Sequence, residues 1–255
     1  YSDGGVVVTM PTATEFHRGG VRAAGGTALY DRDRDVFQLE PKAIVEFVRD
    51  EEATLSETRI ASQTALVAQR DGYMGFKGNV FIDTEKQQMQ AEEVRTVLGD
   101  ATGQIDAIEL IGDVNIIGKD RTPGQLRSMS ASEIMITYAA DVVETIDMTG
   151  GARLELFGGD VAGQPRSLSA PKINVSYGAD SPEAIELIGG ASVELFGEEA
   201  STGATVDGRL LNIAFGIEGS SFDVIEATDN VAVELPPDAG LKQRIESTTM
   251  EIRAP

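Results

Sequence analysis

One short sequence pattern recurs about seven times along the chain, and no other feature limits the possible fold as strongly. Each copy starts at a small residue and continues through alternating apolar positions. The copies begin at Ala24, Ala61, Ala91, Ala131, Ala170, Gly208 and Ser247. A second pattern lies between them and is clearest from Ile185 to Val193. Because a period of roughly 30 to 40 residues is typical of stacked repeats, the sequence predicts a repetitive architecture.

Within the copies, apolar and polar residues alternate with the period of a β-strand. Ile134, Ile136 and Tyr138 fall on one face, and Leu154 and Leu156 do the same. Period-two alternation with a charged second face indicates strands that are buried on one side. Glycine-rich turns between the runs do not support helices. Residues 87–96 come nearest to a helical pattern and fit the repeat better as a strand, so we expect an all-β chain.

Glycine-containing pairs interrupt several of the apolar runs. They are Gly-Asp at 112–113 and Gly-Gly at 150–151 and 189–190. Glycine weakens a flat strand but permits a bend or bulge. If every repeat bends at the same place, the sheet folds over along a seam into an open or closed β-roll with one continuous apolar interior. The terminal strands, at residues 5–10 and in a short last copy from Ile245 to Ile252, would form free edges, which must be protected or paired.

The charge balance excludes one class of partner. Acidic residues outnumber basic ones 42 to 21, and the formal net charge is −21. Such a surface repels nucleic acids and anionic membranes, so we expect no nucleic-acid partner and assign the charge to solubility. No apolar run approaches the roughly 20 residues that span a bilayer. No signal peptide precedes Tyr1, so we expect that a targeting segment or anchor has been removed.

The residue types needed for catalysis or metal binding are scarce. The chain has no cysteine, and its one histidine, His17, lies in a polar lead-in where we expect it to be solvated. Paired carboxylates are uninformative in so acidic a chain. The acidic run from Asp31 to Asp35 is interleaved with arginines and fits a hairpin turn better than a calcium loop. We therefore expect no enzyme activity, no metal and no cofactor.

These recurring strands resemble the OstA-like periplasmic proteins of lipopolysaccharide transport, namely LptA, LptC and the N-terminal domain of LptD. The segments Phe76–Ile82 and Leu110–Ile116 look most like that family. The resemblance covers residues 18–255, behind a lead-in strand at 1–17. Residues 18–60 resemble the start of LptC, and residues 61–255 resemble LptA.

The resemblance implies a folded-over antiparallel sheet, described as a β-jellyroll or β-taco, with an elongated apolar groove for acyl chains. It implies transport of lipopolysaccharide or a related glycolipid toward the outer membrane in the periplasm. Other OstA-like proteins would join end to end through terminal edge strands, and an inner-membrane ATPase complex would act indirectly. The expected groove residues share the inward strand face and are Val80, Ile82, Val114, Ile116, Ile134, Ile136, Ile146, Met148, Leu154, Ile173, Val175, Ile185, Leu187, Val193, Ile213, Phe215, Ile225 and Val233.

The same alternation fits a second hypothesis, in which these residues fill a closed core. The chain would then be a structural β-solenoid assembly module without lipid cargo. Burial stabilises each side chain by roughly 1.5–3 kcal/mol whether its neighbour is protein or lipid, so periodicity does not separate the two hypotheses. An enzyme acting on polysaccharide is less favoured, because the clustered aromatic residues typical of such enzymes are missing.

Overall fold

The computed structural model describes residues 7–12, 14–18, 21–47, 58–68, 71–98, 105–120, 126–139, 142–157, 165–178, 182–195, 203–215, 222–238 and 241–253. The regular secondary structure of these residues consists of β-strands alone, and the strand pairings are antiparallel. The predicted all-β class, consistent with a jellyroll or taco, is confirmed. Residues 87–96 lie in a strand, as expected. The chain divides into two compact units.

The first unit comprises residues 1–116 and 137–141. Its early strands are short, and its later strands are long. They are β1 Val7–Met10, β2 Thr14–Arg18, β3 Val21–Gly25, β4 Thr27–Asp31, β5 Val36–Glu40, β6 Ala43–Phe47, β7 Thr58–Ser62, β8 Thr64–Ala68, β9 Tyr73–Asp83, β10 Gln87–Leu98 and β11 Ile105–Gly118, which belongs to this unit as far as Ile116.

The short strands of the first unit form two arms that β9 joins. In one arm β2, β3, β6 and β7 pair in that order, and β7 pairs with the C-terminal end of β9. In the other arm β1, β4, β5 and β8 pair in order, and β8 pairs with the N-terminal half of β9. The connections β3–β4, β5–β6 and β7–β8 between the arms are therefore each one short bend.

Where the first unit folds over, one residue on a strand lies opposite a two-residue bend on the neighbouring strand. The backbone N–H of Gly26 donates to the carbonyl of Pro41 at 3.1 Å. The N–H of Gln63 donates to the carbonyls of Lys77 and Gly78, at 3.0 Å each. Because one residue opposes two at each bend, the strands turn together and the sheet folds.

The second unit comprises residues 117–136 and 142–255. From β13 to β18 each strand pairs with the next along the chain. The strands are β12 Leu126–Ala139, which belongs to this unit as far as Ile136, then β13 Val142–Leu156, β14 Pro165–Tyr177, β15 Pro182–Leu195, β16 Thr205–Phe215, β17 Phe222–Asp238 and β18 Leu241–Arg253. The last strand has 13 residues, so the expectation of a short final copy was wrong.

Each long strand of the second unit also bends, and the bends lie at matching positions. The register shifts set Gly150–Gly151 against Pro171, Gly189–Gly190 against Arg209, and Asp229–Asn230 against Thr248. Both residues of every pair have positive φ. The bends divide the unit into a first arm, which contains the start of β13 and the end of β14, and a second arm, which contains the end of β13 and the start of β14.

The order of residues within a bend follows from space and backbone geometry. Gly150 and Gly151 have φ of 82° and 79°, which glycine adopts most easily. A β-carbon on Gly150 would lie 2.6 Å from Cβ of Ser132, whereas one on Gly151 would meet nothing within 4 Å. The second position thus has room for a side chain, and the first unit places Asn79 and Asp113 there, residue types that tolerate positive φ.

The acidic run between β4 and β5 is a hairpin turn, as predicted. The β4 and β5 strands pair on either side of it. One carboxylate oxygen of Asp31 accepts hydrogen bonds from the backbone N–H groups of Asp33 and Arg34, at 3.1 and 3.2 Å. The carboxylate of Asp31 thus stabilises the turn.

Candidate functional site

Three rows of apolar side chains cross the second unit, with one residue from each strand between β13 and β18. The first row, in the first arm, is Ile146, Val175, Ile185, Ile213, Ile225 and Ile252. The second row, in the same arm, is Met148, Ile173, Leu187, Leu211, Ala227 and Met250. The third row, in the second arm, is Leu154, Leu168, Val193, Val206, Val233 and Ile245.

These rows make one apolar surface that is continuous along the stacking direction. Paired strands lie about 4.8 Å apart, so side chains of one row contact their neighbours on both sides. No member of the three rows carries a polar side chain. An acyl chain on this surface would therefore meet no polar group that needs a hydrogen-bond partner.

The residues predicted to face inward lie in the interior, with one exception. Seventeen of the eighteen are buried, and Phe215 is half-buried at the end of β16. Val80, Ile82, Val114 and Ile116 belong to the first unit, and the remainder belong to the second. Their inward position is a property of the structure, whereas their contact with lipid stays a prediction.

Sequence reasoning missed several members of the rows. Leu168, Val206 and Leu211 are fully buried but were not predicted as groove residues. A one-residue bend moves the buried positions from even to odd numbers, as between Leu168 and Ile173. A two-residue bend leaves the alternation unchanged. Counting the bend residues on each strand would have placed the missed residues inward.

The interior of the second unit is closed from β13 to β17. Met148, Ile173 and Leu187 have no exposed side-chain surface. One face of an antiparallel sheet remains accessible to water unless another layer covers it, so the two arms cover each other's apolar faces.

A surface pocket of about 320 Å³ in the first unit is lined by Gly78, Asn79, Glu92, Glu93 and Ile111 beside the bends.

The apolar rows become exposed at β18. Residues 243–249 are exposed, and Met250 and Ile252 are only half-buried. Ile245, which ends the third row, is 50% exposed. The rows therefore reach the surface at this strand.

An ion-pair network lies on the outer face of the first unit. One carboxylate oxygen of Glu93 lies 2.8 Å from Nε of Arg95 and 3.2 Å from Nζ of Lys77, and a second nitrogen of Arg95 lies 3.1 Å from Glu109. Burial raises the pKa of Glu93, but hydrogen bonds and charges from Arg95 and Lys77 outweigh it and hold that pKa below its ordinary value.

Two half-buried tyrosines lie near strand ends, Tyr138 on β12 and Tyr177 on β14. Burial raises the pKa of Tyr138 to about 12 and raises that of Tyr177 as well, because the charged phenolate is poorly solvated there. Both phenols are therefore neutral at physiological pH.

Two further features were looked for in the described part of the chain, a metal-binding cluster and a membrane-spanning helix. No group of three or more histidine, cysteine, aspartate or glutamate side chains among the described residues could hold a metal ion. His17, in an exposed position, lies 3.0 Å from Glu15. Among the same residues no helix is long and apolar enough to cross a membrane.

Comparisons with known proteins do not assign the chain to a family. A scan against models of known protein families and a search of curated proteins both found no match.

Proposed function

We propose that the chain is a non-enzymatic component of a periplasmic lipid-transfer bridge that carries lipopolysaccharide or a related glycolipid toward the outer membrane. The observation that carries this proposal is the set of three apolar rows, which run through six successive strands without a polar side chain. A lipid-transfer path needs such continuity, because acyl chains must stay out of water at every position.

Shielding is the mechanism that fits these rows. The acyl chains would lie between the two arms and replace contacts that the arms now make with each other. Because successive strands present similar Ile, Val and Leu side chains, a chain moving along the rows would exchange one apolar contact for an equivalent one. Directed movement would draw its energy from an inner-membrane ATPase complex, and the headgroup would remain outside the arms.

The closed interior requires the arms to separate when cargo enters. The bends are suited to this motion, because the two arms meet there through backbone positions with positive φ, such as Gly189 and Gly190. The exposed strand β18 would pair with another OstA-like protein and continue the apolar rows into it.

A second candidate function has support from the burial. Side chains such as Ile134 and Ile136 are almost fully buried with the arms closed, as expected for a filled core. The chain would then be a structural β-solenoid assembly module that carries no lipid. The two candidates differ in whether the interior ever contacts an amphiphile.

In-cell photocrosslinking separates the two candidates. A photoreactive side chain would replace Ile136, which faces inward, and the product would be blotted for lipopolysaccharide. Met135 is the matched control, because it precedes Ile136 on the same strand and is not buried; exposed Arg153 provides a second control. A crosslink from Ile136 and none from the controls supports lipid transfer.

An absence of crosslinks from Ile136 and Leu187, in folded and correctly located protein, would favour the assembly module. As a second test, a charged residue at Ile136 or Leu187 is expected to stop cargo passage. Normal lipid transport by a folded variant of this kind would contradict the proposal.

A further inference from the structure

A buried hydroxyl group lies on the inward face of the first unit. It belongs to Thr96 on β10, which is only 3% exposed. Val94, two residues earlier on the same face, is fully buried, whereas the side chain of Arg95 makes ion pairs on the outer face and Val97 is exposed. The Thr96 side chain is therefore directed into the interior.

The nearest neighbours of Thr96 in its row are apolar. Thr96 pairs with Met74 on β9, and Met74 pairs with Val67 on β8. Tyr30, further along the same row, donates its phenolic proton to Asp35 at 2.9 Å. By contrast, the first apolar row of the second unit contains only isoleucine and valine.

The hydroxyl group of Thr96 is poorly paired. In the part of the chain that the structure describes, its one hydrogen bond runs from Oγ1 to the carbonyl oxygen of Met74, at 3.4 Å. Hydrogen bonds from a hydroxyl to an oxygen are ordinarily about 2.5–3.0 Å long, so this one is weak. Ser62, another buried hydroxyl side chain of the same unit, donates to the carbonyl of Thr64 at the ordinary distance of 2.9 Å.

The fold itself does not require the hydroxyl group of Thr96. Valine has nearly the same shape as threonine and also favours strands. A buried hydroxyl with a weak partner costs free energy, and valine would avoid that cost. A second hydrogen-bond partner inside the interior would offset it.

The position of Thr96 on its strand indicates which part of a tail could supply that partner. β10 ends at Leu98, two residues beyond Thr96, which is roughly 7 Å along a strand. In the proposed function the tail lies between the arms and the headgroup remains outside them. Thr96 would therefore contact the part of the tail close to the headgroup.

We propose that Thr96 selects amphiphiles whose acyl chain carries a hydroxyl group near the headgroup. This inference rests on the proposed function, because it assumes that the tail enters the interior. A hydroxyl group both donates and accepts, so the hydroxyl of the tail would accept a hydrogen bond from Oγ1 of Thr96 or donate one to it. A plain tail would leave Thr96 as poorly paired as it is in the closed interior.

Binding of three fatty acids to the whole chain tests the inference. Hexadecanoate, 3-hydroxyhexadecanoate and 16-hydroxyhexadecanoate share one chain length and one headgroup, so the acidic protein repels their carboxylates equally. Their affinities would be measured by displacement of a fluorescent fatty acid. The two hydroxy acids are isomers that differ only in the position of the hydroxyl group, and we expect Thr96 to act on the first alone.

A matched set of variants locates the effect. Thr96→Val removes the hydroxyl group and keeps the shape, whereas Thr96→Ser keeps the hydroxyl group. Ser62→Ala removes the buried hydroxyl whose hydrogen bond is of ordinary length. Thr96→Val should weaken binding of 3-hydroxyhexadecanoate about fivefold and leave the other two fatty acids unchanged. Thr96→Ser and Ser62→Ala should bind all three as the unaltered chain does.

The outcomes separate this inference from the proposed function. Unchanged binding of 3-hydroxyhexadecanoate by folded Thr96→Val, or an equal loss for all three fatty acids, would overturn the inference and leave lipid transfer standing. Failure of all three to bind the folded protein would overturn both.

Urea unfolding supplies a readout of any structural role of the hydroxyl group. Thr96→Val should unfold at the same urea concentration as the unaltered chain or at a higher one, because it removes a poorly paired buried group. A lower midpoint together with unchanged selectivity would show that the hydroxyl group serves the fold alone, and would overturn the inference.

Discussion

Residues 7–68 build their two arms from eight short strands, whereas from residue 73 onward single strands of 11 to 17 residues cross from one arm to the other. Both regions fold over by setting one residue against two. At the break between β5 and β6, the residues at the bend explain the difference. Pro41 has no backbone N–H, so the ladder of hydrogen bonds between strands ends there. Gly189 and Gly190 both keep their backbone N–H groups, and the strand continues.

A continuous strand links the two arms covalently and by hydrogen bonds on both sides of the bend. A broken strand links them by chain connectivity and by one or two backbone hydrogen bonds, such as those of Gln63. We therefore expect the arms of the long-strand region to lose structure together, and those of the short-strand region to respond separately. Core replacements give the largest test of this difference.

Leu187→Ala should cost about 2–5 kcal/mol, because it leaves a cavity among fully buried side chains. We expect native-state hydrogen exchange to accelerate in both arms, at Leu187 and also at Val193 beyond the bend. Leu39→Ala, equally buried on β5, should cost a similar amount but accelerate exchange mainly in its own arm and spare Val45. If hydrogen exchange accelerated in both arms to the same extent in the two regions, the comparison would be contradicted.

The bend itself gives the next largest effect. Gly150→Ala should destabilise the chain by about 2–4 kcal/mol, since it adds steric conflict with Ser132 to the strain of positive φ. Gly151→Ala is the control, with equal strain and free space, and should cost about 1–2 kcal/mol. Urea unfolding measures both.

Removing the opposing side chain sharpens this test. Ser132→Gly should recover part of the loss in the Gly150→Ala variant and none in the Gly151→Ala variant. Equal costs at the two glycines would mean that φ alone determines the bend.

The alternation of apolar residues was enough to predict the strands and most of their inward-facing residues, and the glycine pairs predicted the bends at their positions. It succeeded because side-chain period and bend chemistry are local properties of the chain. Ile134 and Ile136 illustrate this, since both were placed inward from their spacing and both are buried.

The sequence left open whether the interior is open or closed. Closure depends on how the two arms approach each other, and alternation within one strand contains no information on that distance. The cargo and partners stay predictions for the same reason.

Lys42 provides a smaller test in the short-strand region. Its φ is 61°, which a lysine adopts at a cost of about 1–2 kcal/mol, partly offset because lysine loses less backbone entropy than glycine on folding. Lys42→Gly should therefore stabilise the chain by about 0.5–1 kcal/mol in urea unfolding. Lys42→Ala is the control and should give no gain. A loss with glycine would show that the lysine side chain contributes to the bend.

Outer-face ion pairs give the smallest contrast between the regions. Glu93, near the bend of β10, has two cationic partners and a side chain only 21% exposed, whereas Glu46 in the short-strand region pairs with Arg59 at 3.0 Å. Glu93→Gln should cost roughly 0.3–1 kcal/mol at neutral pH, and Glu46→Gln less.

The pH dependence of Glu93→Gln identifies the charge as the cause of its effect. Because the pKa of folded Glu93 lies below its ordinary value of 4.5, its pairs contribute stability above that pH. This contribution is lost as pH falls through the lowered pKa. Glu93→Gln and the unaltered chain should therefore differ in urea unfolding at neutral pH and converge in acid. A difference that persisted in acid would assign the effect to packing, and would remove electrostatics from the contrast between the two regions.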